Sequence, residues 1–138
     1  MTALRRLHRD RRGVTSLEFA GVSAGLVAIL MVITAGSMML WTSSALQVAA
    51  TQTARCVAVG SPRCADPAGF AAGILADWGV SGFIPNLTVT TVSGQTCNVS
   101  AGHYVQVSIV SGPGQVTSAI PGLDAVSLGA TACFPTGI

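Results

Sequence analysis

The sequence predicts an α+β protein: a long N-terminal transmembrane helix, then a small disulfide-stabilised domain with a short helix and a three- to four-stranded antiparallel sheet. Three observations predict it. Residues 19–41, FAGVSAGLVAILMVITAGSMMLW, form a run of 23 residues without a charge. All four cysteines, Cys56, Cys64, Cys97 and Cys133, lie after that run. The last part of the chain alternates apolar and polar residues with a period of two.

Composition agrees with a chain partly in lipid. Of 138 residues, 50% are hydrophobic and only 9% are charged, against about 25% charged in a typical soluble domain. Mean hydropathy is +0.63. Charge is also unevenly placed. Residues 1–13 hold Arg5, Arg6, Arg9, Arg11 and Arg12 against Asp10, a net +4. The remainder holds Arg55 and Arg63 against Glu18, Asp66, Asp77 and Asp124, a net −2. A basic tail beside an apolar run reads as positive-inside topology. It argues against nucleic acid as a partner, because no basic patch accompanies it.

Each element follows from its residues. Residues 1–13 read as a basic leader. As a helix, residues 19–41 reach about 35 Å, enough for a hydrocarbon core of about 30 Å, and Trp41 falls where an interfacial aromatic sits. There is no proline before Pro62. The helix is therefore expected to run over 14–59, with Ala45, Val48, Ala49, Gln52, Cys56 and Val59 at helical spacing on the side that packs on the domain. Gly60 and Pro62 stop it, and residues 60–138 form the head. A second helix is expected after Asp66, with Asp66 as cap, Pro67 in the first turn and Gly79 as stop. Its apolar stripe is Phe70, Ile74, Leu75 and Trp78.

Three strands follow. In NLTVTTV, Leu87 and Val89 share a face opposite Thr88 and Thr90. In HYVQVSIV, Val105, Val107 and Ile109 oppose Gln106 and Ser108. In DAVSLGATAC, Val126, Leu128 and Ala130 line one side. Residues 111–122, SGPGQVTSAIPG, read as a loop between the last two.

An even count of cysteines on the side of the apolar run opposite the arginines points to disulfides in an oxidising compartment. Three pairings are possible. The favoured one joins Cys56 to Cys64 in a short local loop and Cys97 to Cys133 across roughly 37 residues. The second contributes about 3–4 kcal/mol by loop entropy.

Catalytic and metal patterns are sparse. GVSAG, residues 21–25, has the form of a nucleophile elbow at Ser23, but it lies inside the apolar helix with no strand before it. The same residues place Gly21 and Gly25 at G-x-x-x-G spacing for close helix packing, with Ser16, Ala20, Ala24 and Ala28 as a small-residue ridge. Arg11 and Arg12 resemble a twin-arginine signal that Glu18 would interrupt. No C-x-x-C occurs, and His8 and His103 are scattered, so neither a metal site nor a Cys97/His103 catalytic pair is expected. NLT and NVS, at Asn86 and Asn98, match glycosylation sequons. No cofactor and no metal are predicted.

Glu18 is the exception in the apolar segment. A carboxylate near lipid is costly unless it is paired or near the interface. Cutting after Gly13 supplies a partner. Val14 then carries a new ammonium group, and Glu18 lies four residues on, hence on the same helix face. The pair forms within the chain or with a neighbour.

A basic leader, Gly13, then VTSLEF with Glu18 fifth after the cut, then an unbroken apolar helix, resembles a type IV prepilin cleavage site. More closely, RRGVTSLEFA, the helix, TQTARCVAVG and ATACFP resemble the TadE-like pseudopilins of tight-adherence pilus systems. The resemblance covers most of the chain and is strongest over residues 11–60. It implies a substrate of a membrane aspartic prepilin peptidase, with Gly13, Val14, Glu18 and Phe19 as processing positions. It implies a minor pseudopilin or assembly component, not an enzyme. Its partners are then the prepilin peptidase, other pilin or pseudopilin subunits, the assembly machinery and membrane lipid. Its place is the cytoplasmic membrane, single-pass, with the N-terminus cytoplasmic and the head outside. Major pilins of such systems are little more than the helix, whereas this chain would keep 125 residues; the related TadF-like proteins are an alternative. The rival reading is a secreted or anchored disulfide-bonded binding domain with an ordinary signal, unrelated to pili.

Overall fold

The computed structural model describes residues 14–84, 86–95, 97, 102–112 and 127–136. The expected leader with Gly13, most of the expected loop 111–122, Val126 and Asn98 lie outside them. The chain divides into two units, Met1–Gly36 and Ser37–Ile138, so the second unit takes in the later half of the long helix as well as the head expected from residue 60.

The long helix, α1, spans Val14–Ala58. Within it, hydroxyls find partners on the preceding turn: Ser23 Oγ donates to the Ala20 carbonyl at 3.0 Å and Thr34 Oγ1 to the Leu30 carbonyl at 2.9 Å. Such internal pairing is what a helix in hydrocarbon requires, since no water is there to serve polar groups. The side chains described between Ser16 and Trp41 are exposed or half-exposed, Phe19 by 74%. Among the described residues, one helix is long and apolar enough to cross a membrane.

Burial begins at Thr42 and then follows the helical period through Ala45, Leu46, Ala49, Ala50, Thr53 and Ala54. This face is rotated from the expected one. Ala45 and Ala49 are inward, but Gln52 is exposed and Val59, just past the helix, is 72% exposed. Alanine makes up most of the buried face, with Ala45, Ala49, Ala50 and Ala54 beside Leu46, Thr42 and Thr53.

α1 ends in a Schellman motif. Ser61 N–H donates to the Cys56 carbonyl and Gly60 N–H to the Val57 carbonyl, with Gly60 at φ +64. A 3-10 turn, Pro62–Cys64, follows. The second helix, α2, spans Pro67–Asp77, and the Asp66 carboxylate accepts from Ala68 N–H at 3.1 Å as its cap. Its inward side chains are Ala71 and Leu75, with Phe70, Ile74 and Trp78 half-buried. The same stop closes it: Val80 N–H donates to the Leu75 carbonyl and Gly79 N–H to the Ala76 carbonyl, with Gly79 at φ +70. Leu75 and Val80 are both buried, as the apolar contact of this motif requires.

The sheet has three antiparallel strands in the order β1-β2-β3: β1 Leu87–Gln95, β2 Tyr104–Ser111 and β3 Gly129–Pro135. Asn86, at φ +55, turns the chain into β1, and a bulge interrupts its ladder between Ser93 and Gln95. Val105, Val107 and Ile109 are buried as expected. They stand opposite Phe134, Ala132 and Ala130 respectively. The described part of β3 starts at Gly129, while residues 124–126 of the expected strand lie outside the described residues; Leu128 precedes the strand, packs on the core and accepts from Ser111 at the end of β2. His103 likewise lies just ahead of β2. Both ends of the β2–β3 ladder are closed by a paired N–H and hydroxyl. Ser111 gives both to the Leu128 carbonyl, and Thr136 gives both to the His103 carbonyl.

One apolar cluster joins the alanine face of α1, Ala71 and Leu75 of α2, Val80, Ile84, and the inner face of the sheet.

Candidate functional site

The residues singled out for processing lie at the start of α1. Val14 is its first residue, Glu18 and Phe19 are exposed, and Gly13 lies outside the described residues. Helical spacing places Glu18, Gly21, Gly25 and Ala28 along one face, at steps of three, four and three. A methyl added at Gly21 or Gly25 would meet nothing within 4 Å. Both glycines thus sit on open helix surface, on the face that carries the carboxylate. A second helix laid on that face could approach closely enough for van der Waals packing and would pass beside Glu18. Sequence reading treated the glutamate and the glycines as separate signals; the continuous helix aligns them.

The cysteines pair as favoured. Cys56 bonds Cys64 with Cα atoms 6.1 Å apart, and Cys97 bonds Cys133 at 6.3 Å. The first ties the last turn of α1 to the turn that follows it. The second ties the β1–β2 connection to the middle of β3, where Cys133 stands opposite Gln106. No cysteine is free.

The remaining candidates are placed plainly. Ser23 sits on a helix with its hydroxyl given to a backbone carbonyl. His103 is exposed, and its carbonyl rather than its ring is engaged. Among the described residues no group of three or more His, Cys, Asp or Glu side chains is placed to hold a metal ion. Glu18, Arg55, Arg63, Asp66 and Asp77 are all exposed, and the described strands carry no charged side chain.

Two features were missed in the sequence. Trp41 stacks on Trp78, with ring centroids 5.1 Å apart and planes tilted by 45°. Only the fold brings these two together, though both being the chain's sole tryptophans was a visible signal. The other is Thr53, fully buried with its hydroxyl unpartnered.

No family model, curated protein or solved structure matches this chain.

Proposed function

We propose that this chain is a minor pseudopilin or pilus-assembly protein of the tight-adherence type, cut after Gly13 by a prepilin peptidase. The observation that carries the reading is a carboxylate, Glu18, on the open glycine face of an apolar helix whose described side chains through Trp41 are not buried. A helix of this kind anchors the chain in the cytoplasmic membrane before assembly and packs among like helices afterwards. The arginines before Gly13 set the N-terminus on the cytoplasmic side. The two disulfides suit a head in an oxidising compartment.

Assembly then proceeds by electrostatics and packing. Cutting creates an ammonium at Val14. Glu18 pairs with it, within the chain or across to a subunit already in place, and in hydrocarbon such a pair is far stronger than in water. Gly21 and Gly25 allow the helices to close on one another.

The test is the N-terminal residue of the protein purified from its own membranes, read by intact mass and end sequencing. A start at Val14 is expected. A start beyond about residue 35, near the end of the apolar run as for an exported protein, favours the rival reading of a secreted binding domain. Glu18→Ala is expected to be cut normally but to enter assemblies poorly. Normal incorporation of that variant, scored by co-purification with the other subunits, removes the pairing step.

A further inference from the structure

The tryptophan pair has a location as well as a geometry. Residues 19–40 of α1 rise about 33 Å, close to the hydrocarbon thickness of about 30 Å. Trp41 therefore falls in the interfacial layer on the side of the head. Burial in the head begins at the next residue, Thr42. Trp41 marks the end of the lipid-facing run.

Trp78 is 5.1 Å from it. The interfacial layer of one leaflet is roughly 5–8 Å deep, so a ring this near to Trp41 lies in the layer or on its surface. The stack does not remove the pair from its surroundings. Trp41 remains 52% exposed, and Trp78 stays half-buried. An exposed indole with a half-buried one beside it is a poor arrangement in water and a favourable one at a lipid interface, where the ring packs on apolar chains and the N–H meets water or headgroups. Leu40, beside them, is exposed as well. No charge occurs between Phe19 and Ala54, and α2 carries no cation. Attraction to anionic lipid is thus not the source of binding.

We propose that Trp41 and Trp78 form a two-residue interfacial anchor that holds the C-terminal end of α2 against the headgroup layer of the bilayer. Trp78 is the C-cap of α2, so the anchor fixes the depth of that helix end and not only of α1. This rests on α1 crossing a bilayer. It holds whether or not the chain enters a pilus.

The two tryptophans allow each to be read alone. In W41F only Trp78 fluoresces strongly, and in W78F only Trp41. The full chain is reconstituted in phosphatidylcholine vesicles brominated either near the headgroup or near the end of the acyl chain. Both tryptophans are expected to lose fluorescence, more from the shallow bromines than from the deep ones. Added anionic lipid should leave the loss unchanged. Quenching of Trp41 without Trp78 overturns the anchor and leaves the membrane span intact; that is also the result if a second copy or another protein covers Trp78. Quenching of neither defeats the span itself, and the anchor with it. Deeper quenching of Trp78 from the chain end overturns the interfacial placement. Intact disulfides and unchanged far-ultraviolet dichroism confirm that each variant folds, and W41Y replaces W41F if it does not.

Discussion

Thr53 shows how much one hydroxyl decides. Thr42 and Thr51 on the same helix donate to the carbonyls of Met38 and Gln47, each at 2.8 Å. Thr53 is fully buried and donates to nothing. A buried polar group without a partner costs about 1–3 kcal/mol. Thr53→Val keeps the shape and removes the orphan, so it should stabilise the head by about 1 kcal/mol, read as a higher denaturation midpoint. Nothing in the structure explains why threonine stands there. Ala50 gives the opposite expectation. It is fully buried on the helix face that meets the core. Ala50→Leu overpacks that face and should destabilise by about 1–3 kcal/mol, measured in the same titration. Neither effect was legible in the sequence, because the face expected from Ala45, Val48, Ala49, Gln52, Cys56 and Val59 leaves out both Ala50 and Thr53. Small residues at every third or fourth position gave no contrast from which to choose a side.

At the scale of elements, local chemistry was the reliable guide. Asp66, Pro67, Gly60 and Gly79 all act where the sequence put them, since a cap or a stop depends on the few residues around it. Gly79→Ala places a Cβ at φ +70 and should cost about 1–2 kcal/mol. A melt showing no change would mean that α2 ends by some other route. The strands divide differently. The inner face of β2 was legible from alternation alone. The start of β3 was not, because alternation runs back through Leu128 although the β2–β3 ladder ends with Val110 opposite Gly129 and Leu128 keeps only the bonds from Ser111. A strand exists only where a neighbour offers hydrogen bonds, and the neighbour's length is not written in the strand's own residues.

For the whole molecule, the disulfides compensate for a modest core. The buried cluster is rich in alanine and holds no fully buried aromatic side chain among the described residues, and small domains of this kind depend on covalent staples. Loop entropy ranks the two bonds. Cys97–Cys133 closes a separation of 36 residues and Cys56–Cys64 one of 8, which correspond to about 4 and 2.5 kcal/mol. The paired replacement C97S/C133S should therefore lower the unfolding free energy of the head by more than C56S/C64S does. Equal losses would indicate that the unfolded chain is held compact by other means.

The sequence by itself determined the apolar span, the helix stops, the strand pattern and the position of Glu18, because each is set by composition or by neighbours a few residues away. Of three possible cysteine pairings the sequence favoured the one the fold contains, and the fold alone brings each pair of Cα atoms within the roughly 7 Å a disulfide needs. Tertiary structure alone decided which side of α1 is inward, where β3 begins and that Trp41 meets Trp78. All three depend on contacts between residues far apart in the chain. Such contacts are fixed by how the elements pack, and no local pattern records them.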